Sequence, residues 1–146
     1  MRPVVVLHHR EIVLKGENRR HFERVLHANV RLAVGAAGIP CTLRGGFGKF
    51  ILTPTASAGA GTGQEGPASR PGPAMETVQT LLEPLSKVFG LANLCPGLEI
   101  EPEMGAIIAA ADAVLEGLEF RTIRVDTRRV DKRFPLPSME TNAQVG

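Results

Sequence analysis

Val4-Val5-Val6-Leu7 is a short unbroken apolar run, bounded by Arg2 on one side and His8-His9-Arg10 on the other. Such a run predicts a buried strand over residues 4–9. From Asn18 onward the period changes. Phe22, Val25, Leu26, Asn29, Val30, Ala33 and Val34 recur at three- and four-residue steps, which predicts a helix over 18–37. Asn18 suits its N-cap, and Gly35 or Gly38 its stop. Residues 41–44 and 49–52 read as two more strands, with Gly45-Gly46-Phe47-Gly48 as the hairpin between them. Val78, Leu81, Leu82, Leu85 and Val88 mark a second helix from about Met75, with a kink offered by Pro84 and an end at Phe89-Gly90. Residues 91–95 and 98–100 read as extended. Strand, helix, strand, strand, helix, strand is the split βαβ order, which predicts two helices on one face of an antiparallel sheet.

Two stretches depart from this regularity. Residues 53–74 are Gly, Ala, Ser, Thr and Pro with almost no large apolar side chain. Burial cannot offset the ordering entropy of such a segment, so a flexible low-complexity loop is expected. Its Gly61-Thr62-Gly63-Gln64-Glu65-Gly66 is a formal GxGxxG, but no strand enters it and no helix leaves it, so it is not a dinucleotide fingerprint. Beyond Glu101 a second unit starts. Residues 103–118 predict an Ala-rich helix, and residues 120–126 alternate apolar and charged side chains as a half-exposed strand does. After Pro135 and Pro137, Ser138 is placed to cap a last helix with Glu140 in its first turn. One helix, one strand and a helix stub are too little to close a sheet, so the chain reads as a fragment of a longer protein, or its second unit as incomplete without a partner.

The 146 residues suffice for one ordinary domain or two very small ones, and 43% hydrophobic residues support a packed core. Aromatics are 4%, with neither Trp nor Tyr. That argues against a surface built from base-stacking rings. Cys41 and Cys95 have no partner in metal-ligand spacing, and read as reduced, at least partly buried thiols of a cytoplasmic protein. No run approaches the length of a membrane span, so no membrane partner is expected. The formal net charge is only +2, but residues 121–133 hold six Lys or Arg against Asp126 and Asp131. A local basic stripe binds phosphates even when the total is near neutral.

Candidate chemistry sits in two basic clusters. Arg10 to Asn18 forms a Lys-Gly-containing loop between the first strand and first helix, where backbone N–H groups and cations suit a phosphate. Arg128-Arg129-Val130-Asp131-Lys132-Arg133-Phe134-Pro135 is the second. Neither has a catalytic constellation beside it; His8 and His9 have no nucleophile or carboxylate in triad spacing. No catalytic and no metal-ligating residue is assigned. Binding precedes chemistry in this reading.

Glu11-x-x-Leu14-Lys15-Gly16-x-Asn18-Arg19-x-x-Phe22 resembles the N-terminal signature of the tRNA 4-thiouridine synthetases, also called tRNA sulfurtransferases or thiamine-biosynthesis sulfur-transfer proteins. Val88-Phe89-Gly90-Leu91 stands where that family has an FGI-type junction, and the 128–135 cluster followed by Ser138-Met139-Glu140 resembles its THUMP segment. The resemblance implies an α+β fold: a ferredoxin-like βαββαβ domain over 1–100, then a THUMP α/β domain over 101–146, incomplete at its C-terminus. Departures are His9-Arg10 where the family has an aromatic-Gly pair, and the long 53–74 loop. The resemblance implies a tRNA-binding module that grips the acceptor region with both basic edges on one face. The contacts would be Lys15, Asn18, Arg19, Arg128, Arg129, Lys132 and Arg133. The ATP-binding PP-loop and the persulfide cysteine of such enzymes do not occur in these residues, so no cofactor is expected in this chain, and ATP is expected only for the catalytic domain. A cysteine desulfurase would be met through other domains. Two rivals stand: the module of another THUMP-bearing RNA-modification enzyme, or a ferredoxin-like regulatory domain that forms a homodimer through a sheet edge.

Overall fold

The computed structural model describes residues 1–9, 18–46, 48–55 and 72–146. Contacts divide the chain into two compact units, Arg2–Glu99 and Ile100–Gly146, the latter with Met1.

The Arg2–Glu99 unit runs β1 (Arg2–His8), α1 (Arg19–Ala36), β2 (Cys41–Gly46), β3 (Lys49–Pro54), α2 (Gly72–Ser86) and β4 (Asn93–Glu99). The strands form one sheet in the order β2-β3-β1-β4, and every neighbouring pair is antiparallel. This is the ferredoxin-like arrangement, with β3 inserted between the parallel β1 and β2. Alternation along the strands sets the core. Val5 lies opposite Leu52 and Leu7 opposite Phe50, so these four share one face. Leu26, Val30 and Val34 of α1 and Val78, Leu81 and Leu85 of α2 pack onto that face in a single cluster. Both triplets follow helical spacing, which is why each helix buries one stripe and leaves the rest to solvent.

Element ends have local causes. Gly38, at φ 68°, stops α1, and its N–H bonds the Gly35 carbonyl. Asn18 stands at the N-cap position of α1 but in helical backbone, and its side chain makes no capping bond among the described residues. The expected Asn18 cap is therefore corrected: that role needs an extended backbone at the cap residue. Pro84 is accommodated inside α2. β4 is one continuous strand, although Pro96-Gly97 reads in the sequence as a break. It is an edge strand, where a missing N–H is tolerated.

On the helix-free face, Arg2 and Arg44 converge on Glu99 from β1 and β2. Cys41 packs half-buried against the core, and burial pushes its thiol pKa up. Cys95 is exposed, contrary to the expectation of a partly buried thiol. Its register opposite Val6, rather than Val5 or Leu7, puts it on the helix-free face.

The Ile100–Gly146 unit carries α3 (Met104–Leu115) and α4 (Ser138–Val145), with Ala110 and Thr141 buried. The strand expected over 120–126 is not formed. Alternation favours a strand only where a neighbouring strand accepts its backbone bonds, and Phe120 and Ile123 stay exposed. The segment is instead tied to α4 by side chains. Thr127 N–H donates to Asn142 Oδ1 at 2.8 Å and Arg129 N–H to Ser138 Oγ at 3.3 Å. Ser138 is thus not the cap of α4; Pro137 holds that position without a side-chain bond, and Glu140 lies in the first turn as expected.

Candidate nucleic-acid interface

The predicted contact residues fall in both units. Lys15 and the other residues of 10–17, expected to form a phosphate-binding loop, lie outside the described residues. Asn18 is exposed at the start of α1. Arg19 follows it, half-buried, with Nε 3.4 Å from Glu23 Oε1 one helical turn on. Its charge is therefore balanced locally.

The helix carries more basic residues than the predicted set. Arg20, Arg24 and His27 occupy one stripe of α1, and α1 and the β2–β3 hairpin flank a shallow groove of about 610 Å³. Arg20, Glu23, Arg24, His27, Gly45 and Phe50 line it. Phe50 anchors its floor: the His9 ring is tilted against it at 4.7 Å, and the His27 ring meets its edge at 5.8 Å. Gly45 sits at φ 136°, and a Cβ there would come within 2.6 Å of the Lys49 carbonyl oxygen. The sequence reading missed Arg20, Arg24 and His27 because it followed the loop motif. Their i, i+4, i+7 spacing, with a single acid nearby, is the signal that marks them.

In the Ile100–Gly146 unit the predicted cluster splits by role. Asp131 holds Arg133 in a fork. Its carboxylate accepts the Arg133 backbone N–H at 2.9 Å, Nε–H at 3.0–3.1 Å and Nη2–H at 2.7 Å. Arg129 uses its guanidinium on the carbonyls of Asp131 and Lys132. Arg129 and Arg133 are thus braces that shape the turn, with their donors partly spent. Arg128 and Lys132 are exposed and have no carboxylate within ion-pair distance among the described residues. They are the cations best placed to neutralise an external phosphate.

The brace is pH-sensitive with a defined sign. The Arg133 side chain and backbone N–H, helped by Arg129, hold the Asp131 carboxyl below the ordinary Asp value near 3.8. A depressed folded value means the brace is complete above that value and is lost as pH falls through the lower one. The Arg133 Nε–H chemical shift is expected to keep its hydrogen-bonded value at neutral pH and to move toward that of a free guanidinium only below about pH 4. Asp131→Asn should produce the free value already at neutral pH and leave α3 and α4 unchanged.

The first unit is a four-stranded ferredoxin-like sandwich with a basic helix, and the second carries a braced basic turn; together they define an α+β protein. Residues 4–58 match the family model described as the ThiI ferredoxin-like domain. A probable tRNA sulfurtransferase from Moorella thermoacetica is 33% identical over 137 residues, which is 93% of this chain and 30% of the relative. One from Coxiella burnetii is 30% identical over 100% of this chain and 33% of its own length. The chain thus spans about a third of the length of the curated relatives it matches. A 4-thiouridine synthetase solved as an RNA complex with bound ATP superposes with a TM-score of 0.67 at 20% identity. That match covers 99% of this chain and 32% of that one. A protein from Pyrococcus horikoshii Ot3 gives 0.69 at 25% identity over 98% of this chain and 42% of its own. The chain is related to the tRNA sulfurtransferases, and its first unit resembles their ferredoxin-like domain.

Proposed function

We propose that this chain is the tRNA-binding module of a tRNA sulfurtransferase that makes 4-thiouridine, a sulfur-transfer activity also linked to thiamine biosynthesis. The observation that carries the proposal is the likeness to tRNA sulfurtransferases over nearly the whole chain. The basic turn and basic helix support it, since each suits a phosphate backbone. The Ile100–Gly146 unit would be the first part of a THUMP domain. The module would hold the acceptor region of a cytoplasmic tRNA, and ATP-dependent activation and sulfur delivery would fall to other segments of the enzyme. Lys15, Asn18 and Arg19 would act in the first unit, and Arg128 and Lys132 in the second, with Arg129 and Arg133 shaping the turn.

The physics is mainly electrostatic. Cations displace counterions from phosphates, and the shape of the folded RNA sets the register. Titration of the chain with a tRNA transcript over a salt series tests it. The logarithm of affinity is expected to fall linearly with the logarithm of salt, and Lys132→Ala should lower that slope by about 0.7–0.9. A flat salt dependence would contradict the proposal. Dimerisation in gel filtration with indifference to tRNA would favour the regulatory-domain rival.

A further inference from the structure

The basic row beside the groove does not end at Arg20, Arg24 and His27. Arg31 continues the same stripe, so residues 20, 24, 27 and 31 follow i, i+4, i+7 and i+11 along α1. At the α-helical rise this places a row of basic side chains along about 16 Å of one helix face. Arg20, Arg24 and Arg31 are exposed, and no carboxylate lies within ion-pair distance of them among the described residues. Glu23 is the acid of this helix, and it is paired with Arg19. The row is not explained by stability. A helix gains little from Arg20 and Arg24 four residues apart, since like charges at that spacing repel each other.

We propose that this face of α1 is a second RNA-contacting edge, which follows the phosphates of a folded, base-paired RNA segment. The inference rests on the proposed tRNA-binding role and extends it beyond the Lys15 loop and the 128–133 turn. Three features choose the ligand. The row is rigid and linear, as befits a regular array of phosphates. The groove next to it is open and shallow enough for a backbone to pass. The groove's own aromatic, Phe50, is 4% exposed and engaged by two histidine rings, so it is not a platform for unstacked bases.

Fluorescence anisotropy on the whole chain with a tRNA acceptor-stem hairpin transcript tests this. For Arg20→Ala/Arg24→Ala/Arg31→Ala, the salt slope is expected to fall by about 2–3 and affinity at low salt to drop at least tenfold. Arg20→Lys/Arg24→Lys/Arg31→Lys should retain the slope, because counterion release needs the charge rather than the fork. The control Arg2→Ala/Arg44→Ala/Lys87→Ala removes as much charge away from α1 and should leave the slope within about one contact of wild type. If the alanine triple variant fails to fold, Arg24→Gln alone should lower the slope by about 0.7–0.9. A wild-type slope in a folded α1 variant overturns this inference while the tRNA-binding role stands. Tighter binding to poly-glutamate than to the hairpin would assign the stripe to an acidic protein and overturn it too. No binding of the hairpin by the wild-type chain removes both.

Discussion

Replacing Leu81 with Ala is expected to lower the stability of the Arg2–Glu99 unit by about 2–5 kcal/mol. Leu81 is fully buried at the middle of the α2 stripe. It belongs to the cluster that joins α2 to Val5 and Leu7 of β1, to Phe50 and Leu52 of β3 and to Leu26, Val30 and Val34 of α1. Truncation removes apolar contact and leaves a cavity that neighbours on three elements cannot all close. A small domain has only about 5–15 kcal/mol in total, so the loss is a large share. Urea unfolding followed by circular dichroism would measure it as a drop in midpoint with an unchanged slope. A shift under about 0.5 kcal/mol, the range of ordinary surface changes, would show that Leu81 is not a core residue.

Gly45→Ala is expected to disrupt the β2–β3 hairpin and the groove beside α1 together. The φ of 136° is a conformation that L side chains rarely adopt. Forcing it on alanine costs about 1–3 kcal/mol. The new Cβ would also stand 2.6 Å from the Lys49 carbonyl oxygen and 2.8 Å from the Phe50 Cα. Both atoms are backbone, so relief requires the paired strand to move, and Phe50 moves with it. The expected result is a lower thermal midpoint together with shifted resonances at His9 and His27, whose rings contact Phe50. A thermal midpoint and ring signals equal to wild type would refute the close approach. Gly35→Ala serves as the contrast, because nothing lies within 4 Å of its added Cβ.

Much of the first unit was legible because its core obeys simple periods. Val5 and Leu7 show the strand step, and Leu26, Val30 and Val34 the helical one. The strand–helix order then left the ferredoxin-like sheet as the natural outcome. The errors share a cause: a local pattern states a preference, and the tertiary partner decides. Residues 120–126 alternate as a strand should, yet form no ladder, because no described strand accepts one. Cys95-Pro96-Gly97 reads as a break, yet β1 holds it in register from Arg2 to His8. Ser138 has the chemistry of a cap, but its hydroxyl accepts the Arg129 N–H instead.

The candidate interface was legible by composition and not by role. The sequence shows that Arg128, Arg129, Lys132 and Arg133 are dense in charge. It does not show that Asp131 commits Arg133, or that carbonyls occupy Arg129. The stripe on α1 was present as spacing in the letters. It was overlooked because the preceding Lys-Gly motif drew the functional reading to the loop.

The place of Pro96 in the outermost strand β4 has a consequence for self-association. A proline there interrupts the row of amide donors that a foreign strand would need for zippering onto the sheet. The opposite border, β2, is short and carries Gly45 in a backbone conformation unsuited to a flat neighbour. Both borders of this sheet therefore discourage fibril growth and border-to-border pairing.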